Sequence, residues 1–182
     1  VKDLVALAKS KPGGLTFASQ GTGTAGHFLG EMLQQVTGAP MVHVPMKGAA
    51  QAVTETVGGR IDVLFSSYLS AQAFLKEGRL KALAYAGPRR SAMLPEVPTL
   101  VELGLKDMVT TTWFGMMVRS ATPPDILAKI VSAAKRAHAD RNVKEKLEQA
   151  GFDVPATADA EFNEGIRNGL VRWAKTVKAT GF

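Results

Sequence analysis

The sequence predicts an α/β chain built on an open parallel sheet. Two observations carry this. Short apolar or β-branched runs alternate with helix-patterned stretches four times between Leu15 and Tyr85, and such repeated βα winding is the signature of a parallel sheet. One of those runs, Ile61 to Phe65, is apolar except for Asp62, as expected of a strand buried on both faces.

The elements follow in order. Val1 to Ser10 carries Leu4, Val5, Leu7 and Ala8 at helical spacing and stops at Pro12-Gly13-Gly14. Leu15 to Ala18 is a strand. A loop, Ser19 to Thr24, opens a helix whose apolar stripe is Phe28, Leu29, Met32, Leu33 and Val36, with Gly38 as its stop. Met41 to Val44 is the second strand, 49–57 a helix ended by Gly58-Gly59, and Ile61 to Phe65 the third strand. A helix over 69–76 ends at Gly78, and Leu80 to Tyr85 is a fourth strand.

The pattern then changes. Gly87 to Leu94 is loop-like, Pro95 to Pro98 is extended, and a short helix runs to Leu103 before Gly104. Val109 to Val118 is apolar and β-branched and predicts one or two strands. Ala121 to Pro124 opens a helix with proline in its first turn, striped by Ile126, Leu127, Ile130, Val131 and Ala134. Two more helices follow, near 142–150 and 158–179, the last carrying Phe162, Ile166, Leu170, Trp173 and Val177 on one face. The second half has too few strands for a sheet of its own, so it extends the first sheet or belongs to a lobe completed by other chain.

Composition narrows the function. The 182 residues suffice for one compact domain or two small lobes. No apolar run approaches the roughly 20 residues that span a membrane. The N-terminus reads as an amphipathic helix without a signal-peptide pattern, which leaves a cytosolic, a processed or a fragmentary chain open. The absence of cysteine excludes disulfides, thiolate metal sites and thiol catalysis. A net charge of +6 suits an anionic ligand. The basic residues are scattered along helix faces, however, and no aromatics alternate with them as a nucleic-acid binder requires. His27, His43 and His138 lack metal-ligand spacing, and no pair of carboxylates is placed for acid–base catalysis.

The informative segment is Ser19-Gln20-Gly21-Thr22-Gly23-Thr24-Ala25-Gly26-His27. It follows a strand and opens a helix. Free N–H groups of a first helical turn, the helix dipole and close backbone approach at glycine all favour an anion there. Ser19, Thr22 and Thr24 add hydroxyls, and the strand-end rule for parallel sheets brings in Pro45 to Gly48 and Ser66-Ser67. An ordinary turn capped by Thr22 or Thr24 is the competing reading. Gly21, Gly23 and Gly26 also match the G-x-G-x-x-G dinucleotide fingerprint. The acid that fingerprint needs after the next strand is absent, but Lys47 stands where a 2′-phosphate would be met, so an NADP-binding oxidoreductase domain is the alternative function. The Walker A pattern fails, because His27-Phe28 stands where Lys and Ser/Thr are required. His27 is read equally as a structural residue and as a ligand or loop-orienting one.

Taken together, ordered segments of the chain resemble the Bug family, the periplasmic solute-binding proteins of tripartite tricarboxylate transporters. They are Leu15 to Thr24 with His27 and Glu31; Val42-His43-Val44-Pro45-Met46-Lys47-Gly48; Gly58 to Phe65; Gly78 to Ala84; Arg90-Ser91 with Leu94 to Thr99; Glu102-x-Gly104; Trp113-Phe114-Gly115; Pro123; and the Trp173 helix. The resemblance implies a two-lobed, type II Venus-flytrap fold that closes on a small carboxylate, holds it partly through ordered water and delivers it to membrane permease subunits, in the periplasm, without cofactor, metal or catalysis. By position it implies ligand contacts from Ser19, Gly21, Thr22, Gly23, Thr24, His27 and Ser66, and places Trp113 in the crossover. Ser66 stands where the family often has Asp, and Met46 where Tyr is commoner, which leaves the carboxylate open among dicarboxylates, aromatic acids and amino acids. Residues 1–107 read as one complete lobe and 108–182 as the C-terminal part of the other, lacking the family's first βα segment. Apolar surface and open strand edges in that part predict self-association, as a homo-oligomer or by exchange of elements, and weak ligand affinity from a single jaw.

Overall fold

In a computed structural model, the described residues are 1–110, 114–150, 152, 154 and 159–180, with the side chains of 159–161, 172, 175–176 and 179–180 outside the description. Three parallel strands form the sheet: β1 (Leu15–Ser19), β2 (Met41–Pro45) and β3 (Val63–Leu64), in the order β2-β1-β3. Leu15 pairs with Met41 through to Ser19 with Pro45, while Phe17 and Ala18 pair with Val63 and Leu64. Helices α1 (Lys2–Ser10), α2 (Ala25–Thr37), α3 (Ala49–Val57) and α4 (Tyr68–Lys76) alternate with the strands.

Period two along β1 splits its side chains between two cores. Leu15 and Phe17 pack with Ala8 of α1, Leu29 and Leu33 of α2, Met41 and Val63. Ala18 packs on the other face with Ala52 of α3 and Ile61. Both faces of β1 are therefore covered, and Leu15, Phe17, Ala18 and Ser19 are all buried. The helix α2 lies unusually close to the sheet. A Cβ on Gly30 would fall 2.1 Å from the Phe17 ring, so glycine is what admits that ring beneath the helix. At its far end α2 stops at Gly38, whose N–H reaches Gln34 O at 2.8 Å, and the Gln34 side chain accepts the Met41 N–H at 2.9 Å, tying helix end to strand start. At the opposite end of the sheet from the strand-end loops, Asp62 accepts the Thr16 N–H and hydroxyl at 2.8 Å each and pairs with Lys11 at 2.9 Å.

The fourth expected strand does not form. Over Leu80 to Tyr85 the structure has one parallel bridge, Tyr85 to Thr99, made by Tyr85 N–H to Pro98 O and Leu100 N–H to Tyr85 O, both 2.9 Å. An apolar alternation specifies a face, but a strand also needs a backbone partner along its length, and β3 is itself only two residues long. The expected strands in Val109 to Val118 are absent at 109–110 and 114–118; Trp113 lies outside the described residues. The short helix before Gly104 is a single turn closed by Leu103 N–H to Thr99 O, followed by a 3-10 turn, Lys106–Met108.

Two compact units are distinguished: Val1–Thr111 with Asn163–Phe182, and Thr112–Phe162. The last helix, α7 (Asp159–Thr180), contributes to the first unit from Asn163 on, with the Trp173 ring 4.9 Å from Phe28. In the second unit, α5 (Pro124–Ala139) and α6 (Arg141–Gln149) bury no residue. Phe114, Met116 and Met117 there are each at least 67% exposed. No helix among the described residues is long and apolar enough to cross a membrane.

Candidate functional site

The strand order singles out one end of the sheet as a candidate site. With β1 flanked by β2 on one side and β3 on the other, the loops after β1 and β3 diverge at a switch point, where parallel sheets leave a crevice for ligands. Three strand-end loops meet there. Met46 N–H donates to Ser19 O at 3.3 Å, and Phe65 N–H to Ala18 O at 3.1 Å. The Gln20 amide donates to Ser66 Oγ at 3.0 Å and Phe65 O at 3.3 Å, linking the loop after β1 to the loop after β3. Ser67 caps α4 by accepting the Ser70 N–H.

Gly21 and Gly23 have φ of +133° and +77°, a region L side chains rarely adopt, so both turns of the loop require glycine. Gly26 serves a different purpose. A Cβ there would lie 2.6 Å from Phe65 O, so glycine lets the first turn of α2 press against the end of β3. These steric demands account for the G-x-G-x-x-G spacing without a dinucleotide. The acid of the fingerprint is missing after β2, and Lys47 is exposed.

Thr24 occupies the N-cap position of α2 but caps nothing; its hydroxyl turns back to Gly21 O at 2.7 Å. The helix therefore begins without a side-chain cap and without an acidic residue in its first turn. The start of a helix of this kind favours an anion through its first-turn N–H groups and the positive end of its dipole. Thr22 and Gly23 are exposed at the loop tip, and Thr24 and Ser66 are half-buried beside it.

Two predicted site residues sit beneath the surface. Ser19 is fully buried. Its Oγ lies 3.0 Å from Gly21 O and 2.8 Å from His43 Nε2, and accepts the Gly21 N–H at 3.2 Å. His27, 3% exposed, accepts the Gly23 N–H at Nδ1 over 3.1 Å and has Nε2 3.9 Å from Glu31. Its imidazole stacks on His43 at 3.8 Å. Burial pushes the His27 pKa down against the opposing pull of Glu31; burial and neighbouring His27 push His43 down to about 4. Both rings are neutral near pH 7.

All seven predicted residues thus come together at one end of the sheet. Ser19 and His27 lie beneath the loop, Gly21, Thr22, Gly23 and Thr24 form it, and Ser66 lies on the neighbouring strand-end loop. Sequence reading passed over Gln20, which links the two loops, and His43. The signal for His43 was present: Phe17 and His43 hold matching positions in adjacent strands, so their side chains point to the face that α2 covers. Among the described residues no group of three or more His, Asp or Glu is placed to hold a metal ion.

Comparison with known proteins gives concordant matches. The family model described as tripartite tricarboxylate transporter family receptor matches residues 1–182. BugT of Bordetella pertussis is 32% identical over 179 residues, 98% of this chain and 55% of BugT. The structure of a periplasmic transporter is similar with a TM-score of 0.86 at 29% identity, over 99% of this chain and 59% of that one. MatC of Rhodopseudomonas palustris with bound malate gives a TM-score of 0.84 at 25% identity, over 97% and 61%. The chain spans about half the length of the curated relatives it matches.

Proposed function

Since the chain belongs to the tripartite tricarboxylate transporter receptor family and has its α/β, periplasmic-binding-protein-like fold, we propose that it captures a small carboxylate at the strand-end loops and presents it to membrane permease subunits from the periplasm. The observation that carries this is the uncapped start of α2 behind a Gly-rich loop at the switch point. It offers backbone N–H groups and hydroxyls to a carboxylate without burying a counter-charge. The malate bound to MatC supports a dicarboxylate as the first candidate. Thr22, Thr24, Ser66 and the loop backbone at Gly21 and Gly23 make the contacts; Ser19 and His27 hold the loop in shape. Residues 1–107, joined by α7 from Asn163 on, supply one lobe of the flytrap, and the intervening segment contributes to the opposing one. The chain acts as a receptor and not as an enzyme. Exposed Phe114, Met116 and Met117 support self-association of this chain, and a monomer by light scattering at about 100 μM would overturn that part.

The test is thermal unfolding against dicarboxylates, aromatic acids, amino acids and NADP. A ligand hundredfold above its Kd adds about 2.7 kcal/mol, which raises Tm by roughly 5–10 °C in a chain of this size. One carboxylate class is expected to do so. Thr22→Ala should abolish that shift while leaving the ligand-free Tm unchanged, because Thr22 is exposed. A shift with NADP alone would replace this reading with the dinucleotide one.

A further inference from the structure

Three rings form a column under the Gly-rich loop. Phe17 of β1 and His43 of β2 are register partners, and their rings stack at 4.8 Å. His27, in the first turn of α2, stacks on His43 from above at 3.8 Å with 18° between the planes. Each imidazole grips a different end of the loop. His43 Nε2 meets Ser19 Oγ where the loop leaves the strand, and His27 Nδ1 takes the Gly23 N–H at the far turn.

Counting donors settles the protons. A serine hydroxyl donates once and accepts twice. Ser19 accepts the Gly21 N–H and has Gly21 O and His43 Nε2 within 3.0 Å. All three contacts are satisfied together when Ser19 donates to Gly21 O and His43 donates its Nε2–H to Ser19. His27 must present a bare Nδ1, since a backbone N–H is aimed at it. Phenylalanine at either position would fill the same space and leave these groups unpaired, so packing alone does not account for two histidines here.

We propose that His27 and His43 are the positioning residues of the ligand loop, and that the device holds the loop in its binding shape only while His27 is uncharged. A proton on Nδ1 would oppose the Gly23 N–H donor to donor, and Gly23 would have to turn away. The groups facing His27, among the described residues, are Glu31 on α2, which favours the charged ring, and His43 on β2, which opposes it. β1 presents uncharged Phe17 and Ser19, and α7 presents Trp173 to neighbouring Phe28. Burial adds to the opposition. The loop is therefore set at neutral pH and released by acid. The effect on ligand rests on the carboxylate reading above; the effect on the loop does not.

The experiment follows the Gly23 amide by 15N–1H NMR in the ligand-free chain from about pH 7.5 to about pH 5, alongside the His27 ring resonances. It compares wild type with His27→Asn, whose side-chain oxygen can accept the Gly23 N–H but does not titrate, and with His27→Leu, which has no acceptor. In parallel, Kd is read for malate, or for whichever carboxylate raises Tm. The Gly23 signal is expected to titrate in step with the His27 ring in wild type. It should be flat in His27→Asn, and stand at the acid-form position at every pH in His27→Leu. Wild-type affinity should fall by up to tenfold per pH unit below the His27 pKa, and His27→Asn should recover most of what His27→Leu loses, without pH dependence. His43→Gln, which keeps a donor to Ser19, should likewise outperform His43→Phe. A Gly23 amide that ignores the His27 titration, or that still titrates in His27→Asn, overturns the proposal. If His27→Leu does not fold, the wild-type and His27→Asn titrations decide. If no carboxylate binds, the functional reading fails while the amide titration still decides this inference.

Discussion

Replacing glycine by alanine should have opposite effects at two places in this chain. In a helix the change gains up to about 1 kcal/mol from propensity. Gly169, on α7, would have nothing within 4 Å of its new Cβ, so Gly169→Ala should raise Tm by roughly 2–4 °C. Gly26 is also helical, yet its Cβ would stand 2.6 Å from Phe65 O and 3.2 Å from both Phe65 Cβ and Gln20 Oε1. Restoring ordinary contact requires roughly 0.8 Å of retreat or more. The obstacle is the backbone carbonyl of Phe65, whose own N–H is held by Ala18 O at 3.1 Å, so the start of α2 has to move instead. Overpacking of this kind costs about 1–3 kcal/mol. After the full propensity gain, Gly26→Ala should still lose up to about 2 kcal/mol and lower Tm by up to roughly 8 °C. It should also weaken carboxylate binding, because the Gln20–Ser66 link spans the same gap. Calorimetry or circular dichroism melts of the two variants against wild type decide the matter. If Gly26→Ala is as stabilising as Gly169→Ala, α2 does not press on β3 and the crevice is not built as described.

Other expectations follow from the same geometry. Asp62→Asn keeps the shape but loses charge-assisted bonds to Thr16 and Lys11, and should cost about 1–2 kcal/mol in urea unfolding without changing the strand-end loops. Asp140 caps α6 by accepting the Asn142 and Val143 N–H groups at 2.8 and 3.1 Å; Asp140→Ala should lower the helical signal at 222 nm and cost about 1 kcal/mol. Stability should fall in two stages on acidification. His27 and His43 have depressed folded pKa values, so the unfolded chain binds their protons first; their contribution is complete above 6.5 and is lost between 6.5 and about 4. Asp62, held low chiefly by the Thr16 backbone N–H, adds a second loss below 3.8. Melts recorded across that range should show the first stage disappear in the His27→Asn, His43→Gln double variant.

Local patterning made much of the first unit legible. The boundaries of α2, α3 and β2 fall within a residue or two of their sequence expectations, because Gly38 and Gly58-Gly59 mark the helix ends and Pro45 closes the strand. The Gly-rich loop and its place at a strand end were equally visible. What was hidden depends on partners distant in the chain. Leu80 to Tyr85 alternates like a strand but meets another backbone only at Thr99. The sequence offers the Ser19 hydroxyl to a ligand, since nothing local reveals that His43, 24 residues away, occupies its oxygen. Thr24 likewise looked like a cap, and its hydroxyl bonds backwards to Gly21 instead. Gln20 gave no signal at all; long polar side chains reach whatever the tertiary fold brings near.

The position of β1 has a mechanical consequence. It is the inner strand, held along one edge by β2 and on the other by β3, with α2 clamped on Phe17 through Gly30. Fluctuations loosen sheets from their margins inward, so the strand that carries the loop is among the last to yield. The Gly-rich loop therefore leaves the sheet from backbone that is hydrogen-bonded on both edges, and its starting point at Ser19 is fixed by the strand rather than by the loop itself.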